Sequence, residues 1–240
     1  MASLVKIVGA LSVALSAWLA PQAIGAVPPE AQPVAFYVDG DLDYFNSEQM
    51  AQILVRNGAP VLMVKVPFGR ATHLLREPAP GCSLTLSREL PGREAFHWLA
   101  ETFHADLLIA TSDPARLAPS QGDLVASYSS PILLDALTQR GYQPLMYHTD
   151  AQAVRLLETD RTKFIAIFEP GLDNLRQKLG KQLEPVARLR PLEVWLGCNP
   201  ATSPETAHLI AQAWEAGLAS GEIIAAYEAA HALHFMPGAK

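Results

Sequence analysis

Cysteine is scarce in this chain: there are two in 240 residues, Cys82 and Cys198, with nothing of the spacing that builds a zinc site. Glycine-rich phosphate loops are missing as well. There is no G-x-x-x-x-G-K-[ST] run, no G-x-G-x-x-G after a strand and no G-x-S-x-G elbow. These gaps remove the usual nucleotide-binding and serine-hydrolase signatures. Cations are outnumbered, 18 against 24 acids. That argues against nucleic acid or an anionic membrane as the main partner, because counterion release needs clustered Lys and Arg. Beyond the first 25 residues, no apolar run reaches the ~20 residues of a membrane-spanning helix.

Residues 1–25 read as a cleavable export signal. Lys6 is their only charge, 7–20 is an almost unbroken apolar run, and Ala23-Ile24-Gly25 places small residues at the cleavage positions. A signal anchor is the alternative, but the run is short and Pro21 follows it. Removal of this segment deepens the net charge from −6 to −7. The remaining chain is expected to be exported and soluble, with room for one large domain or two small lobes. In an oxidising compartment the two cysteines can form a disulfide; otherwise they are buried thiols. Each lies at or near the end of an expected strand, so pairing requires that those strands be neighbours.

After a Pro-rich flexible lead-in (26–33, VPPEAQP after Ala26), strand and helix patterns alternate. VAFYV (34–38) reads as a strand. Asn46 is placed to cap a helix with Met50, Ile53 and Leu54 on one face and Gly58 as its stop. VLMVKV (61–66) is a strand, Pro67 opens a short helix, and SLTLS (83–87) is the next strand. The following loop presents Arg88 and Arg93. Strands follow at 106–111 and 124–128, then a helix opened by Ser130-Pro131. PLMY, DAQAVRLLET and FIAIFE make strand, helix and strand. A short helix at 172–179, the strand LEVWLGC (192–198), a helix opened by Ser203-Pro204 and a last helix through Tyr227 complete the chain. Such alternation predicts an α/β architecture with largely parallel sheets.

Four pieces, in order, resemble the periplasmic solute-binding proteins of family 3, the amino-acid-type substrate-binding proteins of ABC transporters. Leu86-Ser87-Arg88-Glu89-Leu90-Pro91-Gly92-Arg93-Glu94-Ala95-Phe96-His97-Trp98 is similar to that family's Thr/Ser–Arg segment and the aromatic pair after it. LVASYSSPILLDAL is similar to its strand, Gly-Ser turn and helix, and DAQAVRLLETDRTKFIAIFE to a helix and strand ending in an acid. VWLGCNPATSPETAHLIAQAWEAGLASGEIIAAY resembles the closing segment. The resemblance implies a type II two-lobe periplasmic-binding-protein-like α/β fold, each lobe a mainly parallel sheet flanked by helices. Lobe 1 would span 34–108 plus 193–240, and lobe 2 109–192. It also implies a monomer that binds a small polar solute in the periplasm, partnered by an ABC permease or a membrane sensor, with no cofactor.

Carried over, Arg93, with Arg88 as its competitor, would grip a ligand carboxylate in the two-pronged manner that Lys cannot reproduce. Thr85 and Ser87 would offer hydroxyls on the strand leading into the loop. Ser129 and Ser130 would offer a hydroxyl and backbone N–H groups at a helix N-terminus. Glu169 would face a ligand ammonium, and Tyr44 or Phe45 would supply an apolar wall. Each has a plainer reading. The arginines can be solvated or paired with Glu89 and Glu94, Ser130 can be an N-cap, Glu169 a surface acid, and the aromatics core residues. The stretch after the first strand, DGDLDYFNSEQM, departs from the family's aromatic-Pro-Pro loop.

Other chemistry is weaker. Glu228, His231 and His234 lie near one another on the last helix but lack a further ligand, so a solvated helix face is the expectation. Asp39, Asp41 and Asp43 lack the glycine and distal glutamate of a calcium loop. The leading expectation is therefore a binding protein and not an enzyme. The alternatives are a dehydratase-like enzyme on the same scaffold, with Glu169 as general acid, and a sensor or accessory protein with a degenerate cleft.

Overall fold

The computed structural model describes residues 32–39, 46–89, 92–113, 115, 118–230 and 236–237. The candidate export signal, Tyr44, Phe45, His231 and His234 lie outside the described residues. Eight strands form one sheet: β1 (Val34–Asp39), β2 (Val61–Val66), β3 (Gly81–Leu86), β4 (His97–Thr111), β5 (Leu124–Tyr128), β6 (Gln143–Tyr147), β7 (Phe164–Phe168) and β8 (Glu184–Cys198). Their order across the sheet is β2-β1-β3-β8-β4-β7-β5-β6. On one side β1 pairs in parallel with β2 and β3; on the other, β5 pairs in parallel with β6 and β7. The two parallel blocks meet on β4 and β8, which pair antiparallel with each other along their whole length.

Helix placement follows from the alternation of side chains along the strands. Phe36 and Val38 of β1 belong to the main core, whereas Ala35 and Tyr37 face a second cluster with Ala71, Leu75, Leu86 and Phe96. Helix α2 (Phe68–Leu74) covers that second face. Helices α1 (Ser47–Arg56), α6 (Pro204–Ala219) and α7 (Glu222–Ala229) pack together on the first block. Helices α3 (Pro131–Gln139), α4 (Asp150–Glu158) and α5 (Gly171–Leu179) serve the second. Close approach at α6 depends on Gly217: a Cβ there would lie 2.8 Å from Ile53 Cγ2 and 2.9 Å from Ile223 Cδ1.

Two capping expectations are corrected. Asn46 sits in the left-handed region (φ 59°) and makes no side-chain cap; its amide donates to the Ala226 carbonyl at 3.3 Å, tying the start of α1 to α7. Ser130 also makes no side-chain cap on α3. By contrast Ser203 Oγ accepts from the Thr206 N–H at 3.1 Å, as a helix-opening serine should.

The largest difference from expectation is the length of the two central strands. Residues 106–111 and 192–198 were expected as ordinary short strands, but each is the end of a 15-residue strand. The added part of β4, HWLAETFHA, does not alternate cleanly because register shifts fall between Trp98 and Ala100 and between Glu101 and Phe103. The added part of β8, residues 184–191, contains Pro185 and Pro191; prolines argue against an interior strand. Pro185 sits beside another register shift, opposite Ala110, where the ladder is already interrupted. Cys82 and Cys198 are directly opposed on β3 and β8 and form a disulfide. The thiol alternative is thereby removed.

Candidate ligand site

Parallel strands deliver their C-terminal ends to one line in each block, and loops leave from there. In the first block those ends lead to Pro67 and to Ser87; in the second, to Ser129 and Glu169. Between the blocks run β4 and β8 alone. Leu86, the end of β3, pairs with Trp195, and Trp195 with Glu101; Phe168, the end of β7, pairs with Leu107. From Glu101 to Leu107 is about 20 Å of extended strand, the span separating the two sets of loops along the sheet. The loops themselves come closer. A Cβ built on Gly69, at the start of α2, would lie 3.9 Å from the Ser129 carbonyl oxygen.

The segment after β3 carries the two candidate arginines, and their surroundings differ. Arg93 is 2% exposed. Its guanidinium carbon lies 5.5 Å from the Phe96 ring centroid, in a turn closed by the Phe96 N–H donating to the Arg93 carbonyl. Its Nε and Nη2 are buried and have no hydrogen-bond partner. Those two nitrogens form one edge of the guanidinium, whose paired N–H groups match the two oxygens of a carboxylate. Burial, with a further contribution from Arg76, pulls its pKa down to about 10, so it remains a cation at neutral pH. Neither plain reading of Arg93 holds: it is not solvated, and no ion pair engages it among the described residues. Nor does Glu94 take it up, since that carboxylate accepts from the Gly92 N–H at 3.4 Å.

Arg88 is exposed, and its guanidinium stacks on indole rings, 3.4 Å from the Trp195 centroid and 5.4 Å from that of Trp98. Its neighbour Glu89 is paired with Arg190. Ser87 is buried, and its Oγ accepts from the Glu89 N–H at 3.3 Å. Thr85 Oγ1 shares a 3.0 Å hydrogen bond with Ser83 Oγ, so its hydroxyl serves the strand locally.

In the second block Ser129 N–H donates to the Tyr147 carbonyl at 3.2 Å, and Ser130 N–H to that of Tyr128 at 2.7 Å. These bonds fix the turn. Ser130 Oγ is fully buried without a partner at the N-terminus of α3, beside first-turn N–H groups that its side chain leaves uncapped. Glu169 is half-buried. Its N–H donates to the Asp106 carbonyl at 2.9 Å, and its Oε2 accepts from the Asp106 N–H at 3.3 Å. It lines a cavity of about 300 Å³ on the crossover strands with His104, Asp106, Arg188, Leu192 and Glu193. Asp106 is ion-paired with Arg188.

Arg93 and Ser87 thus lie in the segment after β3, and Ser129, Ser130 and Glu169 at strand ends of the second block, while Arg88 is stacked on indole rings and Thr85 is bonded to Ser83. Sequence reasoning did not single out Asp106, Arg188, Arg190, Glu193 or Trp195. Their signal was hidden because the strands that hold them were not recognised as central. No group of His, Cys, Asp and Glu among the described residues can hold a metal ion.

No protein-family model and no curated protein matches the chain. Solved structures do. The backbone is similar to a putative L-cystine ABC transporter protein from Listeria monocytogenes at TM-score 0.71 and 8% identity, over 86% of this chain and 98% of that one. It is similar to the GluR0 ligand-binding core from Nostoc punctiforme, solved with L-glutamate, at TM-score 0.69 and 16% identity, over 83% and 100%. A histidine kinase sensor domain with similarity to periplasmic binding proteins matches at TM-score 0.69 and 15% identity, over 86% and 98%. At such identities the likeness establishes the fold. It is the type II periplasmic-binding-protein-like fold, two α/β lobes sharing crossover strands. No helix among the described residues is long and apolar enough to cross a membrane.

Proposed function

We propose that this protein is an exported solute-binding protein that closes lobe 1 (34–108 plus 193–240) and lobe 2 (109–192) over a small polar solute bearing a carboxylate, such as an amino acid or organic acid. The observation that carries the reading is the buried, unpartnered Nε/Nη2 edge of Arg93. A buried cation without acceptors is strongly unfavourable, and a solute carboxylate supplies both of them. The unpartnered Ser130 hydroxyl at the α3 N-terminus offers a donor for the same anion from the other lobe. Glu169, on the wall of the crossover cavity with Asp106 and Glu193, suits a solute ammonium.

In this reading the chain is exported by residues 1–25, works in the periplasm as a monomer and hands its solute to an ABC permease. Catalysis is disfavoured by the placement of Glu169, whose carboxylate is held by the Asp106 N–H. The likeness to a sensor domain supports sensing as a second use of the same site, with a membrane receptor in place of the permease.

A thermal-shift screen of residues 26–240 against amino acids and organic acids tests the reading. A solute at a hundred times its Kd adds about 2.7 kcal/mol, and Arg93→Met should abolish that gain. Stabilisation that persists unchanged in Arg93→Met would remove Arg93 from the site, and a panel without any hit would refute the binding reading.

A further inference from the structure

Of the four register shifts between the crossover strands, two bound the segment between the lobes. On β4 one register shift falls between Glu101 and Phe103, and on the pairing with β8 another falls between Leu107 and Leu108. Bulges bend a strand and break its ladder, so β4 and β8 are interrupted at both ends of this segment. Opposite Glu101 stands Trp195; opposite Leu107 stands Arg190. These are the two residues held by the loop after β3. Arg88 stacks on Trp195, and Glu89, next in sequence, is ion-paired with Arg190. Leu107 also pairs with β7, so Arg190 stands level with the second lobe, whereas Arg88 and Glu89 belong to the first. The stretch of β8 just before Arg190 is itself fastened to the second lobe, because the Arg140 guanidinium donates to the Arg188 carbonyl at 2.7 Å and to that of Leu189.

We propose that Arg88 and Glu89 act as a splint across the hinge, with the Glu89–Arg190 ion pair holding the lobes in their close approach before any solute arrives. Arg88 anchors the splint to the first-lobe bulge by stacking a planar guanidinium on indole, an attachment that tolerates small rotations. Glu89 reaches over to the second-lobe bulge, so the ion pair is the contact that separating the lobes must break. The Glu89 and Arg190 side chains are 47% and 30% exposed. Such a pair is too weak to lock a fold but sufficient to bias two conformations that differ by little. Exposure also makes it sensitive to salt, since the screening length falls from ~10 Å at 0.1 M to ~3 Å at 1 M. The inference concerns the solute-free protein and stands apart from the assignment of Arg93.

The test is a distance measurement between spin labels on Gln52→Cys in α1 and Glu158→Cys in α4, both exposed, in the full chain without solute. The native cysteines are joined to each other and do not take up label. Glu89→Gln and Arg190→Gln should each raise the open population roughly 1.5- to 5-fold, as removal of an exposed pair does. The charge-reversed double variant, Glu89→Arg with Arg190→Glu, should restore the wild-type distribution, and 1 M salt should shift wild type toward the single variants. Single variants with the wild-type distance distribution would overturn the proposal, as would a reversed pair that fails to restore it. Glu89→Gln alters an exposed loop side chain, so its result remains decisive if Arg190→Gln folds poorly.

Discussion

Cys82 of β3 and Cys198 of β8 occupy directly opposed positions on antiparallel strands, and their disulfide joins residues 116 apart in sequence. The link fastens the end of the second crossover strand to the first lobe. Asn199, immediately after it, adds polar ties: its N–H donates to the Gly81 carbonyl at 2.9 Å, and its side-chain amide to the Ala79 carbonyl at 2.7 Å.

Closing so long a loop restricts the unfolded chain strongly in the chain-entropy view. Replacing both cysteines by alanine should lower the unfolding free energy by about 2–5 kcal/mol. Urea denaturation under oxidising conditions measures it, and wild type in reductant should approach the variant once its buried disulfide opens on unfolding.

Arg93 makes two opposed predictions for one substitution. Arg93→Met keeps an unbranched side chain beside Phe96 and removes a buried cation whose Nε and Nη2 lack acceptors. The solute-free variant should be at least as stable as wild type, and it should lose the stabilisation that solute confers. A variant that is clearly less stable without solute would mean that the guanidinium is satisfied in the apo protein.

Glu101 should make stability depend on pH in the direction opposite to a salt-bridged acid. Burial and the neighbouring Glu193 raise its pKa, against smaller opposing effects of His104 and Arg88. With the folded pKa above the unfolded one, the native state binds more protons between the two, so stability falls as pH rises through that window. Glu101→Gln should therefore be more stable than wild type at pH 7. The difference should shrink as pH drops through the carboxylate range, as followed by urea midpoints at several pH values.

Gly217 is a packing position. A methyl there would press on Ile53 and Ile223 at under 3.0 Å, where α6 meets α1 and α7. Gly217→Ala should destabilise by about 1–3 kcal/mol despite its better helix propensity. Paired with Ile223→Val, part of that loss should return.

Much of the fold was legible in the chain because its elements are local. Met50, Ile53 and Leu54 share a helix face and are all buried; VLMVKV and the Pro67-opened helix fall where expected. The resemblance of four segments, taken in order, led to the same two-lobe fold as the backbone comparison. What stayed hidden was the first half of β4 and of β8. HWLAETFHA and EPVARLRP carry broken alternation and prolines, and they become strands because each completes the other's ladder across the sheet. Only that pairing reveals Trp195 and Arg190 as the partners of Arg88 and Glu89.

The candidate site divides along the same line. That two arginines, three serines and an acid fall at or just after strand ends was set by local sequence, since the alternation of strand and helix dictates where loops fall. Which arginine is buried with an open donor edge, and which is taken up by indole rings, was decided by the tertiary structure. So were the unused Ser130 hydroxyl and the pairing of the cysteines. The reason is physical: propensity and periodicity act over a few residues, whereas burial, pairing and the loss of a hydrogen-bond partner depend on chain segments roughly 40 to 120 residues apart brought together only by the folded sheet.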